Sequence, residues 1–202
     1  MIAAKSGFIY AYAMNIKHSI PNWLTYARAA VVPIVVGTFY LPGDIGMQLT
    51  AFLFWLAAIT DWLDGYLARL WNVQSAVGRF LDPIADKLLV VTCLVLLVGA
   101  GRAAIIPAIA IILREILVSG LREFLAEIQV KVHVTTLAKY KTAVQMLAII
   151  LLLLGDAGPD WLHTNISGQT LLWMAAMLTL YTGFAYMKHG WLHMREMDAK
   201  GE

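Results

Sequence analysis

Six apolar stretches, at about residues 26–41, 45–60, 88–101, 103–113, 143–155 and 170–187, take up most of this 202-residue chain. Taken singly, runs this short read as buried core helices, since a helix that crosses a bilayer needs roughly 20 apolar residues. Six of them cannot all be core. The chain is 60% hydrophobic and only 14% charged, against roughly 25% charged in ordinary soluble domains, so too little polar surface remains to cover them. The expected fold is therefore all-α, an integral membrane bundle of six transmembrane helices whose ends carry charges. Six spans of about 20 residues use about 120 positions and leave about 80 for short connections and termini. A net charge of +2 excludes a nucleic-acid binder that relies on a basic face, and the single Cys93 excludes a disulfide framework or a CxxC metal site.

The connections set the orientation. Leu41-Pro42-Gly43-Asp44, Gly99-Ala100-Gly101-Arg102 and Gly155-Asp156-Ala157-Gly158-Pro159-Asp160 read as turns on one side of the bilayer. Of 15 Lys and Arg residues, only Arg102 lies in them. The positive-inside rule then places both termini in the cytoplasm and predicts a multi-pass protein of a cytoplasmic membrane. Residues 1–20 read as an N-terminal amphipathic interfacial segment, with Phe8, Tyr10 and Tyr12 at the headgroups. Lys5, a short apolar stretch and Ala11-Tyr12-Ala13 also outline a signal peptide, but the apolar region is short for one. Residues 21–190 form the expected six-helix domain and 191–202 a cytoplasmic tail.

Charges inside spanning helices are costly and usually functional. Four of the eight Asp residues fall within one short segment: Asp61 and Asp64 at the end of the second expected helix, Asp82 and Asp86 in the third. Pairs at i,i+3 and i,i+4 share a helix face. A cytoplasmic loop of about a dozen residues would make the two helices antiparallel neighbours, so that both faces converge. Four converging carboxylates repel unless a cation neutralises them, and oxygen-only donor sets suit Mg²⁺ or Mn²⁺ when a phosphate completes the shell. Gly65 removes a side chain beside the acids, Arg69 is one turn on to meet a phosphate, and Gly78 relaxes the loop before the third helix, with Pro83 in its first turn. The competing reading is a set of solvated interfacial acids paired with Arg69, Arg79 and Lys87; four Asp at this joint spacing disfavour it.

The pattern Asp61-x2-Asp64-Gly65-x2-Ala68-Arg69-x8-Gly78-x3-Asp82-x3-Asp86 resembles the complete signature of the CDP-alcohol phosphotransferases, with no signature position departing. The resemblance implies two divalent ions, Mg²⁺ or Mn²⁺, held by Asp61, Asp64 and Asp82, with Asp86 as general base and shared ligand. It also implies that Asp61, Gly65, Arg69 and Ser75 face the CDP moiety, and that the protein is a homodimer. Asn22, Thr25 and Arg28 fall at i, i+3 and i+6 at the start of the first helix. A helix cap with a snorkelling Arg is the competing reading, but their likeness to the family's opening motif implies that Asn22 and Thr25 contact the nucleotide or its pyrophosphate.

The signature leaves the acceptor alcohol open. Arg114 and Arg122 close the fourth expected helix, while Lys139 and Lys141 open the fifth. Together they are placed to form a cationic pocket, which an acceptor bearing its own phosphate needs and a neutral alcohol does not. Ordinary positive-inside anchoring competes for Lys141 but not for Arg114, which lies about 18 Å of helical rise beyond Arg102, within the bilayer. These two segments are most similar to bacterial family members that use CDP-diacylglycerol as donor and sn-glycerol 3-phosphate as acceptor. The implied reaction is phosphatidyl transfer in phospholipid synthesis, with membrane lipids around the enzyme and no nucleic acid. Inositol phosphate, serine and phosphatidylglycerol remain rival acceptors. A cation transporter is the rival outside the class, disfavoured because the acids gather at one membrane face beside Arg69.

Overall fold

The computed structural model describes residues 30–71, 76–127 and 136–200. All regular elements among them are helical, as expected for an all-α chain: α1 (Ala30–Phe39), α2 (Asp44–Trp71), α3 (Ala76–Gly99), α4 (Ile105–Glu127), α5 (Thr136–Leu154) and α6 (Thr164–Lys200), with single 3-10 turns at Gly155–Ala157 and Asp160–Leu162. Within the described residues each apolar stretch lies mostly in one helix, overrunning it by two residues at most, and the turn residues fall at or between the helix ends. The interfacial segment 1–20, Asn22 and Thr25 lie outside the described residues. The helix α6 continues to Lys200, through the segment assigned to a tail.

Two details of the acidic region differ from expectation. The interval between α2 and α3 is residues 72–75 rather than a dozen, because Leu67, Ala68, Arg69 and Leu70 are good helix formers and carry α2 on to Trp71. The helix α3 correspondingly begins at Ala76, so Gly78 lies inside it and Pro83 is its eighth residue rather than part of its first turn. A proline there removes the hydrogen bond to the Arg79 carbonyl, a local weakness that the helix tolerates.

The chain divides into two compact units between Cys93 and Leu94. In the first, the turn after α1 folds back sharply: Leu41 N–H donates to the Thr38 carbonyl at 3.1 Å, and Gly43 takes a positive φ of 79°. The Thr38 and Thr50 hydroxyls then meet at 3.0 Å between α1 and α2. Val35, Phe54, Leu89 and Cys93 are buried.

In the second unit α4 and α5 each pack on α6. Small residues permit the approach: Ala148, Ala175 and Ala176 are buried, and a Cβ on Gly168 would come 2.8 Å from Leu152 Cγ. Close packing through small residues is how helices associate where no water drives them together. Thr164 Oγ1 donates to the Gly155 carbonyl, and Asn165 Nδ2 donates to Asp156 Oδ1 at 2.7 Å, tying the turn to α6. Gln169 clamps the α3–α4 turn from α6, donating to the Arg102 carbonyl at 3.0 Å and accepting from Ala104 N–H at 3.2 Å.

Large apolar side chains also face outward in each unit: Ile45 and Phe52 in the first, and Ile106, Met177, Tyr181 and Phe184 in the second, are exposed, as on surfaces that meet lipid or a partner rather than water. Two helices, over Tyr140–Ala157 and Asp160–Lys188, are long and apolar enough to cross a membrane, and less than half of each is buried within the chain.

Candidate active site

The acids Asp61 and Asp64 are on α2, and Asp82 and Asp86 on α3. The backbone is α-helical at all four positions, so spacings of three and four place the two members of each pair on one side of their helix. Gly65 and Arg69 follow on α2. The side chains of Asp61, Asp64, Arg69, Asp82 and Asp86, the surroundings of Gly65, and the whole of Ser75 lie outside the described residues. As donors the four acids offer carboxylate oxygens alone, with no thiol or imidazole in the pattern, which fits a hard divalent cation.

Two of the basic residues are buried. Arg114 is halfway along α4 yet only 9% exposed, and Lys141, in the second turn of α5, is only 3% exposed. Buried charges persist where they are paired, and the pairing acid is Glu115. Lys141 Nζ donates to Glu115 Oε1, and Arg114 Nη1 lies 3.6 Å from that same oxygen. From α6, Thr182 Oγ1 accepts a hydrogen bond from Arg114 Nη2 at 3.4 Å. Gly183 beside it leaves the space the arginine stem crosses, since a Cβ there would come 2.9 Å from Arg114 Cγ. Arg122, eight residues further along α4, donates to Tyr186 Oη at 3.4 Å, with its guanidinium carbon 5.5 Å from that ring's centroid. Of the four basic residues expected to converge, Arg114 and Lys141 are joined through Glu115 and Arg122 is held against α6; Lys139 is on α5, with its side chain outside the described residues.

Three buried polar atoms have no hydrogen-bond partner among the described residues: Arg114 Nε, Gln145 Oε1 and Thr179 Oγ1. Gln145 is one turn beyond Lys141 on α5, and Thr179 one turn before Gly183 on α6. Buried polar atoms of this kind are normally satisfied, and one of the three belongs to the Arg114 guanidinium itself. Arg114 and Gly183 also border a cavity of about 680 Å³, otherwise lined by apolar side chains of α4 and α6 such as Ile109, Leu113, Leu180 and Phe184.

Glu115, Thr182, Gly183, Tyr186 and Gln145 were not singled out by sequence patterning. Glu115 adjoins Arg114 in sequence, where helix neighbours face different directions, and its partner Lys141 is 26 residues away. Gly183 and Thr182 sit in an otherwise apolar run. A polar residue interrupting such a run is the available signal.

The sequence profile of the CDP-alcohol phosphatidyltransferases matches residues 18–181. The chain belongs to this family. The matched region holds all four motif aspartates, together with Arg114, Arg122, Lys139 and Lys141, and stops just before Thr182 and Gly183. Among curated family members, a protein of Rickettsia bellii is 47% identical over 175 residues, 87% of this chain and 97% of the relative. One from Haemophilus influenzae is 42% identical over 179 residues, 85% of this chain and 93% of its own length. One from Pseudomonas fluorescens is 41% identical over 182 residues, 88% and 92% respectively. All three carry the name CDP-diacylglycerol–glycerol-3-phosphate 3-phosphatidyltransferase.

Proposed function

We propose that the chain transfers the phosphatidyl group of CDP-diacylglycerol to sn-glycerol 3-phosphate, giving phosphatidylglycerolphosphate and CMP. The observation that carries this reading is the buried pair Arg114 and Lys141 around Glu115, among apolar helices, with Arg114 Nε left without a partner among the described residues. A phosphorylated acceptor gives those cations an occupant; a neutral alcohol does not. The names of the three relatives agree with it.

In this mechanism the acceptor phosphate is held by Arg114, Arg122, Lys139 and Lys141, which leaves the glycerol 1-hydroxyl as the free end. Asp86 takes the proton of that hydroxyl as its oxygen attacks the phosphorus bearing diacylglycerol. The bond from that phosphorus to the bridging pyrophosphate oxygen breaks, and CMP departs with the electron pair. Asn22, Thr25, Asp61, Gly65, Arg69 and Ser75 hold the CDP moiety, with Arg69 facing its phosphates and Gly65 allowing close approach to the backbone. Asp61, Asp64, Asp82 and Asp86 are the residues that would hold two divalent ions, Mg²⁺ or Mn²⁺. Bound there, the ions supply charge neutralisation for the pyrophosphate and the departing CMP. Positioning the two substrates accounts for much of the rate, since holding them in near-attack geometry turns a bimolecular step into a unimolecular one.

The protein works as a multi-pass enzyme of the bacterial cytoplasmic membrane. It has six spans with both termini in the cytoplasm, residues 1–20 at the interface and 191–202 beyond the last span; the charge asymmetry of the sequence supports the orientation and the exposed apolar faces support the membrane setting. The acyl chains stay in lipid while the headgroups react on the cytoplasmic side. The working unit is a homodimer.

Purified protein incubated with CDP-diacylglycerol and Mg²⁺ or Mn²⁺ tests the assignment when glycerol 3-phosphate, inositol phosphate, inositol and serine are offered in parallel. CMP release only with glycerol 3-phosphate is expected. Faster release with any other acceptor overturns the acceptor, and none with any acceptor overturns the reaction class.

A further inference from the structure

Glu115 is the one acid of the described cationic cluster, and the proposed reaction gives it no part. It lies on α4 at 20% exposure and reaches across to α5, where Lys141 Nζ donates to its Oε1, the same oxygen that lies 3.6 Å from Arg114 Nη1. Two cations as buried as Arg114 and Lys141 repel one another and have lost much of their hydration; a carboxylate between them lets both stay charged before any ligand arrives. The pairing also fixes where each cation points, since the flexible Lys141 stem would otherwise have no preferred direction. Charge balance narrows the ligand. Arg114, Lys141 and Arg122 with Glu115 leave two net positive charges, to which Lys139 of the same pocket adds a third, so the pocket favours a ligand with the roughly two negative charges of a phosphate monoester. An uncharged alcohol would leave all of that charge uncompensated in a low-dielectric site.

We propose that Glu115 is a positioning residue for the acceptor phosphate, holding the Lys141 ammonium and the Arg114 guanidinium charged, fixed and open to a phosphate monoester. The proposal rests on the reading that the acceptor is a phosphorylated alcohol. Glu115 touches neither substrate and acts through Lys141 and Arg114.

The test is steady-state kinetics of the full-length purified protein in detergent micelles, with CDP-diacylglycerol and glycerol 3-phosphate varied in turn. Glu115→Gln removes the charge at nearly constant shape. It should raise the acceptor KM about tenfold, the size of one lost charge-assisted hydrogen bond, while the donor KM stays within about twofold. Glu115→Asp, which keeps the charge, should recover most of the loss. Because part of the effect passes through Lys141, Glu115→Gln should raise the acceptor KM clearly less in a Lys141→Met background than in the wild type. An acceptor KM unchanged by Glu115→Gln, an equal rise in the donor KM, or independent effects in the double variant would each overturn the proposal. Should the Gln variant fail to fold, the double variant decides alone: an acceptor KM well under tenfold above that of Lys141→Met supports the role, and a full tenfold rise overturns it. Wild-type protein that releases no CMP with glycerol 3-phosphate overturns the functional reading itself, before any variant is compared.

Discussion

Gly183 on α6 lies against the aliphatic stem of Arg114 on α4, so closely that a Cβ at position 183 would come 2.9 Å from Arg114 Cγ. Together with the Thr182 hydroxyl, which accepts from Arg114 Nη2, this makes α6 a seat for a buried guanidinium. A glycine here is a packing requirement of a neighbouring helix and has nothing to do with its own backbone.

Gly183→Ala should therefore displace the Arg114 side chain. The expected cost of this overpacking is about 1–3 kcal/mol of stability, with a rise in acceptor KM larger than any rise in donor KM. Thermal unfolding in detergent and kinetics with each substrate varied check the two parts separately.

Removing the guanidinium tests the pocket itself. Arg114→Ala should lower kcat/KM for glycerol 3-phosphate by about tenfold to a hundredfold, from the loss of one or two charge-assisted hydrogen bonds. Lys139→Ala should act in the same direction. In both, the KM for CDP-diacylglycerol should move less than that for the acceptor. Unchanged acceptor kinetics in both variants would remove the pocket.

At the acidic motif, Asp86→Asn keeps the shape of the side chain and removes its basicity. Turnover should be abolished while CDP-diacylglycerol binding, measured directly on the purified protein, remains largely intact. Loss of donor binding with normal residual turnover would assign Asp86 a different role.

Gln169 supplies a contrasting case. Its amide both donates to the Arg102 carbonyl and accepts from Ala104 N–H, so Gln169→Leu leaves two backbone groups of the α3–α4 turn unpaired. A stability loss of about 1–3 kcal/mol is expected, read as a lower unfolding temperature, with the ratio of acceptor to donor KM unchanged.

What could be read from sequence divides along physical lines. The turns around Gly43 and Gly101 were visible because glycine there serves positive φ, 79° and 70° respectively, a local requirement. The four aspartates were visible because spacing alone carries the pattern. The helix limits around them were not: Gly78 and Pro83 are boundary signals by residue type, yet both lie inside α3 because favourable residues on either side outweigh them. Arg114 was singled out because a charge deep in an apolar helix is costly wherever it sits. Its surroundings were not visible. The acid that pairs it is its immediate neighbour in sequence, while Thr182 and Gly183 lie 68 and 69 positions away in a largely apolar run. Burial and long-range pairing are tertiary facts, and a single sequence records only their local half.

The central claim is that the phosphatidyl group leaves CMP and arrives on glycerol 3-phosphate. The most direct measurement follows isotopically labelled glycerol 3-phosphate into the lipid phase while CMP is quantified in the aqueous phase, using purified protein, CDP-diacylglycerol and a divalent cation. Equal amounts of labelled lipid and CMP, both lost when the cation is chelated and both restored by Mg²⁺ or Mn²⁺, are predicted. CMP release without label in the lipid, or no CMP at all, would contradict the account.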